Sequence, residues 1–145
     1  KSLTTSVQIV TIFCKFYRGK TMNLAEIYEK FALCKSWEER YLLLIQLSRQ
    51  LPKLSEAELQ NVSEIHGCES RLWFAFEKSP RKVLAYSDAR LMQGILMIIQ
   101  TALLEKSDAE LAEFNLQRLF DDLKITPHLT STRLNGLQQI QGVIK

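Results

Sequence analysis

Cysteine is scarce in this chain. Three thiols, Cys14, Cys34 and Cys68, are spread over 145 residues, and no CxxC pair occurs. An odd, widely spaced set makes no disulfide framework, and a structural zinc site wants about four ligands in short-spaced pairs. The usage points to a reducing cytoplasm. Long apolar runs are missing as well. The longest, Leu91 to Leu104, is interrupted by Gln93, Gly94, Gln100 and Thr101. It falls short of the roughly 20 residues that a membrane span needs, so it reads as a buried core helix and no membrane partner is expected. Charge of one sign is lacking too. The formal net charge is +3, and acids interrupt the Lys and Arg residues, leaving no basic stripe for a nucleic acid to follow. No internal repeat or low-complexity segment is present.

What is there is ordinary globular composition, 46% hydrophobic and 24% charged, which argues against disorder. The length suits one domain with its own core. Residues 1–21 stand apart. The chain begins with Lys1, whereas Met22 opens Met22-Asn23-Leu24-Ala25-Glu26-Ile27, which reads like an ordinary start. The β-prone segment Val7 to Cys14 resembles a signal-peptide core, but no small-residue cleavage site follows before Lys15, Arg18 and Lys20. The expected division is therefore an extension at 1–21, outside a domain at 22–145. A stray strand pairing with an exposed edge is the alternative for the extension.

Hydrophobic spacing predicts a succession of helices interrupted by one hairpin. Leu24, Ile27, Tyr28 and Phe31 fall at helical spacing behind Asn23, a cap residue with Glu26 three positions on. A second helix is expected after Ser36, carrying Trp37, Tyr41, Leu44, Ile45 and Leu51, with Leu42, Leu43 and Leu47 widening its apolar face so that it lies mostly inside. Pro52 stops it. A helical turn is expected at Glu56–Leu59. The period then switches to two: Leu72, Phe74 and Phe76 alternate with Arg71, Trp73 and Ala75. Lys78 to Lys82 reads as a five-residue turn, with Val83 to Tyr86 as the antiparallel partner and Val62–Ile65 as a short third strand. Ser87-Asp88 is expected to cap the next helix, and Ser107 with Glu110 opens another, through Phe114. Leu116 to Leu123 continues as a helical piece, Pro127 breaks the chain, and Thr130 or Ser131 starts the last helix. The expectation is an α+β domain with a small antiparallel sheet of about three strands packed on several helices.

One stretch carries the chemistry: Ile65-His66-Gly67-Cys68-Glu69-Ser70-Arg71-Leu72-Trp73. Gly67 permits a sharp backbone bend beside the sulfur, and the strand that follows can anchor that bend in a sheet. His66, Glu69 and Ser70 make the surroundings polar, and Arg71, three residues on, favours a thiolate if it folds back. Read without any relative, a lone cysteine beside a strand is most often a small buried hydrophobe. Trp37, Tyr41 and Trp73 read first as core or edge aromatics, with a partner surface as the second reading. Asp88 reads first as a helix cap.

The segment Gly67-Cys68-Glu69-Ser70-Arg71-Leu72-Trp73 resembles the cysteine motif of the SufE-like sulfur acceptors. So do Trp37-Glu38-Glu39-Arg40-Tyr41, Ser87-Asp88 with Gly94, and the block from Leu129 to Leu137, in family order over roughly residues 24–144. The resemblance implies a SufE/IscU-like fold and a role in sulfur traffic. In that family a PLP-dependent cysteine desulfurase hands persulfide sulfur to the acceptor, which stimulates the desulfurase and delivers sulfur towards an iron–sulfur cluster scaffold. Cys68 would be the acceptor, supported by Gly67, Glu69, Arg71 and Arg133, the last matching an Arg of the family's Ser-Arg-x-x-Gly-Leu block. The chain would carry no cofactor or metal, the PLP belonging to its partner. A sheltered resting pose of the thiol against Leu72 or Trp73, with a swing outward on docking, is the expected mode. The chain departs from the family at Thr132, Leu134 and Asn135 and at Ala85-Tyr86. The competing reading is a metal or cluster scaffold of the IscU type, which wants three cysteine ligands where Cys34 and Cys68 supply two. A further one is an interaction module whose cysteine is incidental.

Overall fold

The computed structural model describes residues 22–66 and 70–144. Residues 1–21, expected to be an extension and containing Cys14, and the residues Gly67, Cys68 and Glu69 lie outside the described residues. Within them the architecture is α+β: seven α-helices and one antiparallel hairpin.

Helix α1 (Leu24–Leu33) starts at the expected reciprocal cap, Asn23 accepting from the Glu26 amide while the Glu26 carboxylate accepts from Asn23 N–H. Helix α2 (Trp37–Ser48) begins behind Ser36, whose hydroxyl accepts from Glu39 N–H. Helix α3 (Glu56–Gln60) and helix α5 (Asp108–Ala112) are single turns, each opened by a full capping box, Ser55 with Glu58 and Ser107 with Glu110. Helix α6 (Leu116–Asp122) and helix α7 (Ser131–Ile144) flank a 3-10 turn at Thr126–His128, where Pro127 interrupts the chain. Gln141 of α7 fixes α6 from the side. Its carbonyl oxygen accepts from Leu116 N–H at 2.7 Å and its amide donates to Phe114 O at 3.0 Å.

The centre of the core is helix α4 (Arg90–Glu105), with Met92, Ile95, Leu96, Ile98, Ile99 and Leu103 fully buried. Gly94 lets α2 cross it closely. A Cβ built there would stand 2.2 Å from the carbonyl oxygen of Leu44, so any side chain would drive the two backbones apart.

Strands β1 (Leu72–Lys78) and β2 (Arg81–Ser87) pair in register from Leu72↔Ser87 to Lys78↔Arg81. One face, with Leu72, Phe74, Ala85 and Ser87, is buried on the core. The other carries half-buried Trp73 and Tyr86. Two expectations need correction. The five-residue turn is a tight one, because Lys78 and Arg81 still pair across Ser79-Pro80. Arg81 anchors this turn to the end of α4: its guanidinium donates to Leu103 O at 2.7 Å and to Lys106 O at 2.5 Å, with Asp108 as an ion-pair partner. The third strand at 62–65 shrinks to a single bridge, Glu64↔Trp73, flanked by Ile65 N–H to Leu72 O at 2.7 Å and Phe74 N–H to Ser63 O at 3.3 Å.

Helix α2 is less buried than its composition predicts. Leu43, Leu44 and Leu47 face the core, but Tyr41 is 41% and Leu42 61% exposed. Five consecutive apolar or aromatic residues, Tyr41 to Ile45, cannot all face one side of a 3.6-residue helix that packs on one partner. Among the described residues no helix is long and apolar enough to cross a membrane.

Candidate functional site

The site is built from the two chain stems that lead to and from Cys68. On the entry side, Ile65 is paired with Leu72, and His66 offers its carbonyl to the Gln139 amide of α7 at 2.5 Å. On the exit side, Arg71 is held through its backbone at both ends. Its N–H donates to Asp88 Oδ1 at 3.0 Å, and its carbonyl accepts from Ser87 Oγ at 2.6 Å and from Asp88 N–H at 3.3 Å.

The residues expected to cap α4 are therefore used elsewhere. Ser87 and Asp88 were expected at the helix start; instead Ala89 is the N-cap residue, and no side chain caps the helix. Ser87 is fully buried beneath the exit stem, where an unmet Arg71 carbonyl would be costly, so its hydroxyl serves that carbonyl.

The Arg71 side chain links the two stems. Its guanidinium meets the Glu64 carboxylate with two hydrogen bonds, Nε to Oε2 at 3.1 Å and Nη2 to Oε1 at 3.0 Å, and lies 4.6 Å above the Trp73 ring. This fork geometry joins the entry and exit stems. The Arg71 hydrogen bond holds the Glu64 carboxyl below its ordinary range, and Glu64 in turn raises Arg71. Arg71 thus acts here as a strap whose charge is shared with Glu64. Glu64 and Gln139 were not singled out in the sequence. An acid and a base seven residues apart, straddling a loop, was the available signal for Glu64. Gln139 had none, since its partner is a backbone carbonyl 73 positions away.

The remaining site residues are dispersed. Arg133 sits in the first turn of α7, with its N–H on Thr130 Oγ1 at 3.3 Å. His128 stacks flat on Trp37, ring centroids 4.2 Å apart and 13° between planes. Cys34 ends α1, half-buried, its sulfhydryl donating to Lys30 O at 3.4 Å. Burial pushes its thiol up; nearby Arg40 pulls it down and Glu39 raises it again. Among the described residues no three His, Cys, Asp or Glu side chains gather as a metal site. Leu72 is fully buried in the core, and Trp73 lies under Arg71. The pose of Cys68 itself, like those of Gly67 and Glu69, falls outside the described residues.

The fold is an α+β domain in which the stems on either side of Gly67-Cys68-Glu69 are joined by Arg71 and Glu64 and fastened to the start of the hairpin. The family model described as "SufE: Fe-S metabolism associated domain" matches residues 25–145, and the chain belongs to that family. It is 38% identical over 120 residues to an uncharacterized SufE-like protein of Haemophilus influenzae, covering 81% of this chain and 95% of that protein. It is 32% identical over 129 residues to the sulfur acceptor protein CsdE of Escherichia coli, covering 87% of this chain and 88% of that one.

Proposed function

We propose that this protein is a sulfur acceptor for a PLP-dependent cysteine desulfurase, with Cys68 as the accepting thiol. The Cys68 thiolate attacks the outer sulfur of the desulfurase persulfide. A new S–S bond forms on Cys68, the donor S–S bond breaks, and the donor cysteine leaves as a thiolate that takes up the proton. No net oxidation occurs. By clearing its partner's nucleophile the chain stimulates the desulfurase, and it passes the sulfur towards an iron–sulfur cluster scaffold. It acts in the cytoplasm as a carrier and activator, and the PLP belongs to the partner.

The observation that carries this reading is the fastening of both stems. Ile65, Arg71 and Leu72 are tied to the hairpin and to Ser87 and Asp88. A loop with a rigid base delivers its contents to a foreign pocket at less entropic cost than a floppy one. Family membership and the relative named a sulfur acceptor support the same reading. Gly67 and Glu69 would shape and polarise the loop, Arg71 straps its base, and Arg133 lies on the helix that also touches the entry stem.

Incubation with a desulfurase and free cysteine, followed by mass spectrometry, tests the assignment. An adduct of about 32 Da per chain is expected, one sulfur atom gained by exchange. Cys68→Ser should abolish it with the fold intact. Cys34→Ser should retain it, because that thiol is both raised and hydrogen-bonded. An adduct that persists in Cys68→Ser, or one that vanishes in Cys34→Ser, overturns the single-acceptor reading.

A further inference from the structure

A cavity of about 300 Å³ opens where the C-terminal end of α2, the outer face of β2 and the first turn of α4 meet. Arg49, Lys53 and Arg90 line it, three cations from separate stretches of chain, and no carboxylate does. The two salt bridges found among the described residues involve none of them. Asp88, the acid nearest Arg90 in sequence, spends its Oδ1 on the Arg71 N–H. Of the neutral groups, Ser48 Oγ donates to Ile45 O and Gln93 Nε2 to Ser87 O. Neither of them screens the cations. The Tyr86 hydroxyl, also on the wall, has no hydrogen-bond partner among the described residues.

The backbone adds to this field. Arg90 and Gln93 belong to the first turn of a sixteen-residue helix that no side chain caps. Such a terminus carries about half a positive charge on unsatisfied N–H groups. Arg49, Lys53 and Arg90 are all solvent-exposed around the opening, and a cleft lined by charge of one sign focuses its field on an anion that enters. The volume lies at the lower end of the roughly 300–1,000 Å³ typical of small-molecule sites.

We propose that this cavity is an oxyanion site that takes the phosphate or carboxylate group of a small molecule. Arg49 and Arg90 supply charge-assisted hydrogen bonds, Lys53 a point charge, and the Tyr86 hydroxyl a neutral donor. The site is separate from sulfur acceptance on Cys68 and stands whether or not that reading holds.

The test is an NMR titration of the full chain with inorganic phosphate, and in a second arm with succinate, at ionic strength held constant with sodium chloride. Saturable shifts are expected at the α4 first-turn amides and the Tyr86 ring. A tighter response to phosphate identifies a phosphorylated ligand, and a tighter response to succinate a carboxylic acid. The double variant Arg49→Gln with Arg90→Gln should weaken binding at least about tenfold. Ala89→Asp gives an independent check. Ala89 sits at φ −99° and ψ 128°, an extended N-cap geometry, so an Asp there caps the helix and places its own carboxylate at the site. That variant should bind phosphate at least about tenfold more weakly while melting at a higher temperature, a pairing that misfolding does not produce. Shifts that fail to saturate, that chloride alone reproduces, or that survive both variants overturn the proposal.

Discussion

The hairpin is tied down at both ends, and the two ties differ in kind. At the distal turn, Arg81 reaches across to the last carbonyls of α4 and to Asp108, so the helix C-terminus and the turn satisfy each other. At the proximal end, Ser87 and Asp88 reach back from the approach to α4 to hold Arg71, and the helix N-terminus goes without a side-chain cap. One end closes on itself. The other gives up a helix cap to fasten Arg71, on the stem that leads from Cys68 into β1. Fastening the Arg71 backbone and capping a helix compete for the same two side chains, and at this hairpin Arg71 has them.

Removing the distal tie should cost most. Arg81→Met keeps an apolar stem over Phe76 but strands the Leu103 and Lys106 carbonyls, and a loss of about 2 kcal/mol is expected in denaturant unfolding. An unchanged midpoint would mean water replaces the guanidinium freely and the two ends are not alike in strength. Ser87→Ala attacks the proximal tie. It leaves the Arg71 carbonyl with the longer Asp88 N–H bond only, so about 1 kcal/mol should be lost. Hydrogen exchange should rise at Ile65 and Asp88 while the Arg81 turn stays protected. Equal loosening at both ends would erase the distinction.

The smallest effect concerns the strap between Glu64 and Arg71, which is solvent-exposed. The Glu64 carboxyl titrates lower folded than unfolded, so the contribution is complete above its ordinary value of 4.5. It fades as pH falls through the lower folded value. Between neutral pH and that point the strap should hold; below it, amide exchange at Ile65 should quicken. Exchange that already quickens near neutrality would show that the strap contributes nothing to the stem.

Several elements were legible because their determinants are local. Asn23 with Glu26, Ser107 with Glu110 and the alternation from Leu72 to Phe76 each act within a few residues, and each appears as read. Ser87-Asp88 looked equally local and was not. The same side chains suit a cap and a loop stem, and only the nearness of Arg71 decides between them. Helix α2 misled for a related reason, since composition does not say how many faces a helix has covered. Of the candidate site, the Gly67-Cys68 motif and Arg71 stood out in the chain. Glu64 carries only the faint signal of an acid seven residues before Arg71, and Gln139 carries none, its partner being a backbone carbonyl 73 positions away.

From its sequence alone this chain determined its family, its helix starts and the residue types that surround its conspicuous thiol, since all of these depend on neighbours along the backbone. Tertiary structure alone decided that Arg71 straps to Glu64, that Arg81 closes the far turn on α4, and that Arg49, Lys53 and Arg90 share a cavity. Hydrogen bonds and charges act over a few ångströms of space. Residues far apart in the chain acquire a common role only once the fold has brought them together.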